Sequence, residues 1–226
     1  MGSAESRERE RAEAKARPKE KVPRAVWGYA LFGLATWTCV VTVQVVTSTV
    51  LDVRGLADAG EAALVINCCG IGSILCGLAF PYLVRLFKGR LFGVSAAVAA
   101  VGIVPCLVAT SAPVYALGVF ILGFGGSAFF TAAQNAAGNI APTSRVAFVS
   151  GVMTSMMNLG PFIGPYVFSA SMLGIPSMGN DAIFPVLIVI AAAMAVIGLV
   201  HPMRALTLAP QREADGADEA SEKRGA

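Results

Sequence analysis

Six long apolar stretches, separated by short polar breaks, occupy most of this 226-residue sequence. Each stretch contains the roughly 20 mostly apolar residues that an α-helix needs to cross the hydrocarbon of a bilayer, at about 1.5 Å per residue. The stretches are residues 26–50, 61–84, 91–110, 113–134, 146–173 and 183–203. We therefore predict an all-α integral membrane bundle of six transmembrane helices, with the lipid bilayer as its first partner.

The basic residues lie almost entirely on one side of the membrane that these helices imply. Of the 17 Lys and Arg residues, eight precede the first stretch, three lie between the second and third, one between the fourth and fifth, and four follow the last. Only Arg54 falls on the opposite side. Because basic loops stay in the cytoplasm, the pattern predicts that both termini are cytoplasmic. We expect the membrane to be the plasma membrane.

The composition excludes several other classes of protein. The chain is 56% hydrophobic and 14% charged, about half the usual share of charge, so it would not be a soluble monomer. The basic residues are confined to tails and turns, which argues against nucleic acid as a partner. The five cysteines lie inside apolar stretches, with no histidine at a zinc-ligand spacing. We therefore expect no metal site and no cofactor.

The chain divides into three regions. Residues 1–24 form a charged cytoplasmic tail or linker that ends with Pro18 and Pro23. Residues 25–204 form the six-helix transmembrane bundle. Residues 205–226 form a polar cytoplasmic tail, which we expect to be disordered because it has too little apolar surface to bury.

The fifth stretch contains the most informative local pattern, two Gly-Pro pairs four residues apart. Gly160 and Gly164 fall on one helix face and leave room for a neighbouring helix, while Pro161 and Pro165 each remove a backbone hydrogen bond. The pattern predicts a bent, closely packed helix that can rock, with these four residues acting in helix packing and gating. The alternative is a kinked helix that only packs.

The order of motifs around this pattern resembles the C-terminal half of a major facilitator superfamily transporter. Pro142 and Arg145 match the loop before the helix with the Gly-Pro pairs, and Gly89 and Arg90 match the Gly-Arg element of an earlier cytoplasmic loop. Leu86 stands where the family has an acidic residue in that loop. The resemblance covers about residues 24–204.

The resemblance implies a secondary membrane transporter, a permease that moves a small-molecule substrate by alternating access. Such transporters have twelve spans in two six-helix bundles, so this chain corresponds to one half of the fold. A second half would be a missing N-terminal bundle or another copy in a homodimer. A fragment, a split gene and a functional half-size protein all stay open. Apart from Glu61 at the outer end of the second stretch, the spans contain no Asp, Glu, Lys or Arg, so ion-coupling residues lie in the other half or the carrier is a uniporter.

By the same resemblance, the first and fourth helices line a substrate cavity, and the second and fifth form gates. Polar side chains in the spans are costly unless paired or hydrated, so they are candidates for the cavity lining. The alternative for each is a hydrogen bond between helices without substrate contact. The candidates are Thr38, Gln44, Asn67, Gln134, Asn135 and Asn158.

Two other functions are weighed against transport. Ser127 and His201 superficially resemble the catalytic pair of a rhomboid-like intramembrane serine protease, but Ser127 lies deep in its helix and His201 at the cytoplasmic rim. A serine nucleophile needs its base within about 3 Å, so we expect no enzyme and no catalytic residues. A non-transporting six-span scaffold or subunit is the other alternative.

Overall fold

The computed structural model describes residues 21–167, 181 and 183–202. These residues form six α-helices: α1 (Arg24–Val53), α2 (Ala59–Phe87), α3 (Leu91–Val108), α4 (Ala112–Ile140), α5 (Val146–Val167) and α6 (Ile183–Val200). Two 3₁₀ turns, Lys88–Arg90 and Thr143–Arg145, precede α3 and α5. The expected disordered tail, most of the charged tail and the last residues of the fifth apolar stretch lie outside the described residues.

Five helical segments are long and apolar enough to cross a membrane. Four of them lie in α1, α4, α5 and α6, and the fifth is Ala59–Val108, which counts as one segment because the turn Lys88–Arg90 joins α2 to α3. The all-helical class with membrane-spanning helices is therefore confirmed. By length and composition alone, the segments number one fewer than the six predicted spans.

The helices begin where the sequence supplies local signals. Asp58 and Glu61 form a capping box at the start of α2, in which each side chain accepts a hydrogen bond from the other residue's backbone N–H. Pro113 occupies the first turn of α4, where a missing N–H costs nothing. Lys88 adopts a φ of +46°, a left-handed conformation unusual for a residue with a Cβ, and this residue reverses the chain after α2.

The predicted break after residue 134 is wrong, because α4 continues to Ile140. Ala136 and Ala137 are fully buried in a cluster with Val26, Val149 and Met153. Packing against α1 and α5 therefore holds this part of the chain in the helix. As a result, Gln134 and Asn135 lie inside α4 rather than at its end.

α4 lies at the centre of the bundle because its glycines let three helices approach closely. A Cβ at Gly123 would lie 2.8 Å from Cys69 Cα in α2, one at Gly125 would lie 2.7 Å from Ala99 N in α3, and one at Gly126 would lie 2.9 Å from Val40 Cγ1 in α1. Lipid is as apolar as the side chains, so association of helices in a membrane depends on such close packing.

α2 and α3 both lie against the middle of α4. Gly72 in α2 abuts Phe120 and Phe124, and a Cβ at Gly102 in α3 would lie 2.5 Å from Leu122 N. In one straight helix, residues 72 and 102 would be about 45 Å apart. The reversal at Lys88–Arg90 therefore folds α3 back, so that α2 and α3 pack on opposite faces of α4.

The two ends of the bundle have separate apolar cores. At one end, Phe92 contacts Phe32 and Phe129, with ring centroids 6.2 and 5.4 Å apart. At the other end, Tyr115 packs edge-on against Phe184 at 6.4 Å. α1 and α5 run in the same direction, since Gly33 lies near Met157, and Gly164 lies against Thr42 further along. The starts of α1 and α5 therefore lie at the same end.

Candidate functional site

The predicted packing glycines of α5 lie in direct contact with α1. A Cβ at Gly160 would lie 2.5 Å from Thr38 Oγ1 and 3.0 Å from Thr38 Cα, and one at Gly164 would overlap Thr42 Oγ1. Both glycines are buried. We call this contact, formed by Thr38, Thr42, Gly160 and Gly164, the α1–α5 seam.

The seam leaves its threonine hydroxyls with few partners. Thr38 donates a 2.6 Å hydrogen bond to the carbonyl of Leu34 in its own helix. Among the described residues, the buried hydroxyl of Thr42 has no hydrogen-bond partner. Helix α5 runs without a break through Pro161, which is half-buried. Pro165 lies one helical turn further along the same helix. The two helices are therefore held at the seam by close packing, and neither threonine hydroxyl makes a described hydrogen bond across it.

Two of the predicted cavity residues bond to neighbouring helices. The Gln44 amide donates to Cys69 Sγ at 2.7 Å and so links α1 to α2. The Gln134 amide donates to Thr154 Oγ1 at 2.9 Å and links α4 to α5. Both side chains are half-buried, and one hydrogen bond uses only part of the hydrogen-bonding capacity of an amide group.

The other three amides point away from the bundle. Asn67 in α2, Asn135 in α4 and Asn158 in α5 are all exposed. Asn135 follows Gln134 directly, and Asn158 lies one helical turn after Thr154, so the Gln134–Thr154 bond brings their two helices together close by. Among the described residues, no hydrogen bond joins Asn67 to the other candidates. The candidates therefore form no single cluster.

The residues predicted in the basic loops have defined positions. Gly89 is buried and Arg90 exposed in the turn between α2 and α3, and Pro142 and Arg145 are half-buried in the turn before α5. The Arg145 guanidinium lies 5.9 Å from the centroid of the Phe148 ring, within the range of a cation–π contact.

A polar contact at the opposite end was missed by the sequence analysis. Arg54 forms a 2.7 Å ion pair with Asp181, and the same guanidinium donates to the carbonyls of Cys106 and Leu107 at 2.9 and 3.1 Å. Those carbonyls belong to the last turn of α3, which lacks helical N–H donors. Arg54 also lies 5.6 Å over the Phe184 ring. This Arg54–Asp181 clamp joins the end of α1 to α3 and to the start of α6. The sequence singles out Arg54 as the one cation in the loops of that side, but it does not identify the partner.

A groove along the start of α5 was also missed. It has a volume of about 630 Å³ and separates Trp27 of α1 from α5. Its lining is almost entirely apolar and consists of Trp27, Ala147, Phe148, Gly151, Val152, Ser155, Met156 and Leu159. The lining mixes small and large side chains with no regular spacing, so the sequence did not predict the groove.

The described residues supply no metal site, since no three His, Cys, Asp or Glu side chains come together within them. The five cysteines are free thiols, four of them buried. Inside the described bundle, the groups that could contact a solute are uncharged amides and hydroxyls. The helices that carry them pack through glycines.

Comparison with known proteins gives one family. The family model described as Major Facilitator Superfamily matches residues 25–225, which is most of the chain. A search of curated proteins finds no significant match. The match agrees with the resemblance seen in the loop motifs and the Gly-Pro pairs. The chain belongs to the Major Facilitator Superfamily of membrane transporters.

Proposed function

We propose that this bundle is one six-helix half of a secondary transporter that moves a small solute by alternating access. A second six-helix bundle, either another copy or a separate N-terminal bundle, completes the transporter. The solute path runs between the two bundles. Family membership over residues 25–225 supports the general function of transport. The arrangement of helices and amides supports the proposal of a six-helix half with a solute path beside a second bundle.

In this proposal all six helices cross the membrane. Because α2 and α3 are folded back on α4, each must cross by itself, and even α3, with 18 residues, reaches about 27 Å against a hydrocarbon core of about 30 Å. The end that carries Arg24, Arg90 and Arg145 faces the cytoplasm, since cations favour that side.

The observation that carries the proposal is the set of outward amides. An asparagine facing hydrocarbon would lose its hydrogen bonds to water at a cost of several kcal/mol, on the order of 2–7. Asn67, Asn135 and Asn158 are exposed on the bundle surface, so water or a polar partner must reach them. A hydrated path shared with a second bundle satisfies all three.

The α1–α5 seam supplies the moving contact. At the seam the Thr38 hydroxyl bonds within its own helix and the Thr42 hydroxyl has no partner among the described residues. The two helices can therefore slide without breaking a hydrogen bond of these hydroxyls, whereas a hydrogen-bonded interface resists such motion. Gly160 and Gly164 allow α5 to tilt against α1, and Pro161 and Pro165 bend it. Closing and opening of the path then follows from small tilts of α5.

The test uses single cysteines in a variant whose native cysteines are replaced. Asn67→Cys, Asn135→Cys and Asn158→Cys are treated in membranes with a thiol reagent that is soluble in water and does not enter lipid. Controls are Val189→Cys and Val196→Cys in α6, which are 68% and 60% exposed on an apolar surface. We expect labelling at the three asparagine positions and none at the two valines.

Labelled protein is then assayed for solute uptake in vesicles, where modification at an asparagine position should block transport. If the reagent labels the cysteines at the asparagine positions no more than those at the valine positions, no aqueous path reaches the amides. If the asparagine positions are labelled but no reconstituted form of the protein takes up a solute, the result would favour a non-transporting scaffold. The protease alternative gains no support, because the family consists of transporters.

A further inference from the structure

The acids and the cations of the described residues lie at opposite ends of the bundle, except that Arg54 lies with the acids. The four acids, Asp52, Asp58, Glu61 and Asp181, all lie at the end of the Arg54–Asp181 clamp. The opposite end contains no acid among the described residues. Its cations are Lys21, Arg24, Arg85, Lys88, Arg90 and Arg145. This basic end attracts anions at a membrane surface, where each Lys or Arg contributes about 1 kcal/mol.

The groove between Trp27 and α5 opens at this basic end. Phe148 lines the groove, and the Arg145 guanidinium lies 5.9 Å from its ring. The described part of the chain supplies no carboxylate to Arg145. Within the described ranges, the cation beside Phe148 at this end of the apolar groove therefore has no carboxylate partner, and Arg24 is exposed at the start of α1.

The length of the groove matches one leaflet of a bilayer. Its lining residues run along α5 from Ala147 to Leu159, a distance of about 18 Å at 1.5 Å per residue. Half of the hydrocarbon core is about 15 Å thick. Gly151 keeps the groove open, because nothing lies within 4 Å of the position that its Cβ would occupy.

We propose that this groove binds one anionic phospholipid. Its phosphate contacts Arg145, and one acyl chain lies along α5 between Trp27 and Leu159. A nearby cation, an apolar lining and a length of one leaflet together fit this occupant, whereas a zwitterionic lipid such as phosphatidylcholine would bring a second cation, its choline group, beside Arg145. The site requires that the chain lies in a bilayer, and it does not depend on solute transport. Because the groove ends beside Gly160, a bound lipid reaches the edge of the α1–α5 seam.

The test uses the fluorescence of Trp27, which lines the groove. The chain has only two tryptophans, so Trp37→Phe leaves Trp27 as the single tryptophan, which is excited selectively over tyrosine. The substitution keeps a ring beside Phe130, which lies 5.2 Å from the native indole. The full chain is reconstituted in phosphatidylcholine vesicles. Brominated phosphatidylglycerol or brominated phosphatidylcholine is then added at increasing mole fractions as the quencher.

We expect brominated phosphatidylglycerol to quench Trp27 at about a fivefold lower mole fraction, the ratio that one cation near the membrane surface supplies. Arg145→Gln should remove this preference. Arg90→Gln, an equal charge change at an exposed position of the same end, should retain it. Gly151→Leu should reduce quenching by both lipids by filling the groove, since nothing lies within 4 Å of the position of the added Cβ.

Three results would overturn the proposal. Equal quenching by the two lipids would mean that the groove holds ordinary bulk lipid. An undiminished preference in Arg145→Gln would mean that the surface charge of the whole end, and not the groove, selects the lipid. No quenching by either lipid would mean that protein, such as a second bundle or another copy, covers the groove.

Discussion

The contact between Gly164 and Thr42 gives a sharp prediction about the α1–α5 seam. In Gly164→Ala the new Cβ would overlap Thr42 Oγ1 and lie 3.1 Å from Thr38 Cγ2. Both obstructing atoms belong to side chains, and neither is backbone. We therefore expect Gly164→Ala to destabilise the bundle by about 1–3 kcal/mol, the range for overpacking a close contact.

The same geometry predicts a rescue. Thr42→Ala removes the overlapping oxygen, which has no partner among the described residues, and so loses no hydrogen bond that they supply. The double variant Gly164→Ala/Thr42→Ala should therefore recover to within about 0.5 kcal/mol of the Thr42→Ala single variant. At Gly160 the obstruction includes Thr38 Cα and N at 3.0 and 3.1 Å. Gly160→Ala should consequently resist rescue by Thr38→Ala.

The measurement is thermal unfolding of purified protein in detergent, followed by tryptophan fluorescence. A loss of 1–3 kcal/mol corresponds to a decrease of about 2–10 °C in Tm for a chain of this size. Gly151→Ala is the matched control, because it makes the same change in the same helix where nothing lies within 4 Å. An unchanged Tm in Gly164→Ala, or a double variant no more stable than Gly164→Ala alone, would refute the close packing of the seam.

Two further predictions concern other contacts of the bundle. Arg54→Ala should destabilise the protein by about 2–4 kcal/mol, because it leaves two carbonyls without donors and Asp181 without its partner. Asp181→Asn should destabilise the protein less than Arg54→Ala, because the Asp181 side chain is 46% exposed and the Arg54 side chain only 15%. Comparison of the midpoints of thermal unfolding of the two variants measures this difference. Gly123→Ala should lower Tm by a few degrees, because its Cβ would press on the backbone of Cys69, whereas Gly77→Ala in α2 faces open space and should leave Tm unchanged.

The positions of the helices could be predicted from the sequence because apolar length alone determines where a chain can enter lipid. The starts of α3 and α5 agree with the predicted stretches at residues 91 and 146. The end of α4 could not be predicted in this way. Residues 135–139 are polar or small, and they stay helical because Ala136 and Ala137 pack against α1 and α5. This is a tertiary effect that a hydropathy profile does not contain.

The site was predictable in part. The spacing of Gly160 and Gly164 predicts a close helix contact, and the structure supplies the partner, α1. The amide candidates were chosen by residue type alone, and residue type cannot tell Gln134, which bonds to Thr154, from Asn135, which is exposed one residue later. The ion pair of Arg54 with Asp181 joins residues far apart in sequence, so it required the fold to be known.

The central position of α4 has a consequence for the synthesis of this protein. Its glycines form contacts with α1, α2 and α3, all of which leave the ribosome before it. About 30 residues separate the end of α3 from the end of α4, so at 5–20 residues per second the first three helices wait roughly 2–6 s for the helix that organises them. During that interval the surfaces that they later present to α4 have no α4 to pack against. Biogenesis, rather than the finished assembly, is therefore the stage at which this chain is most vulnerable to wrong pairing.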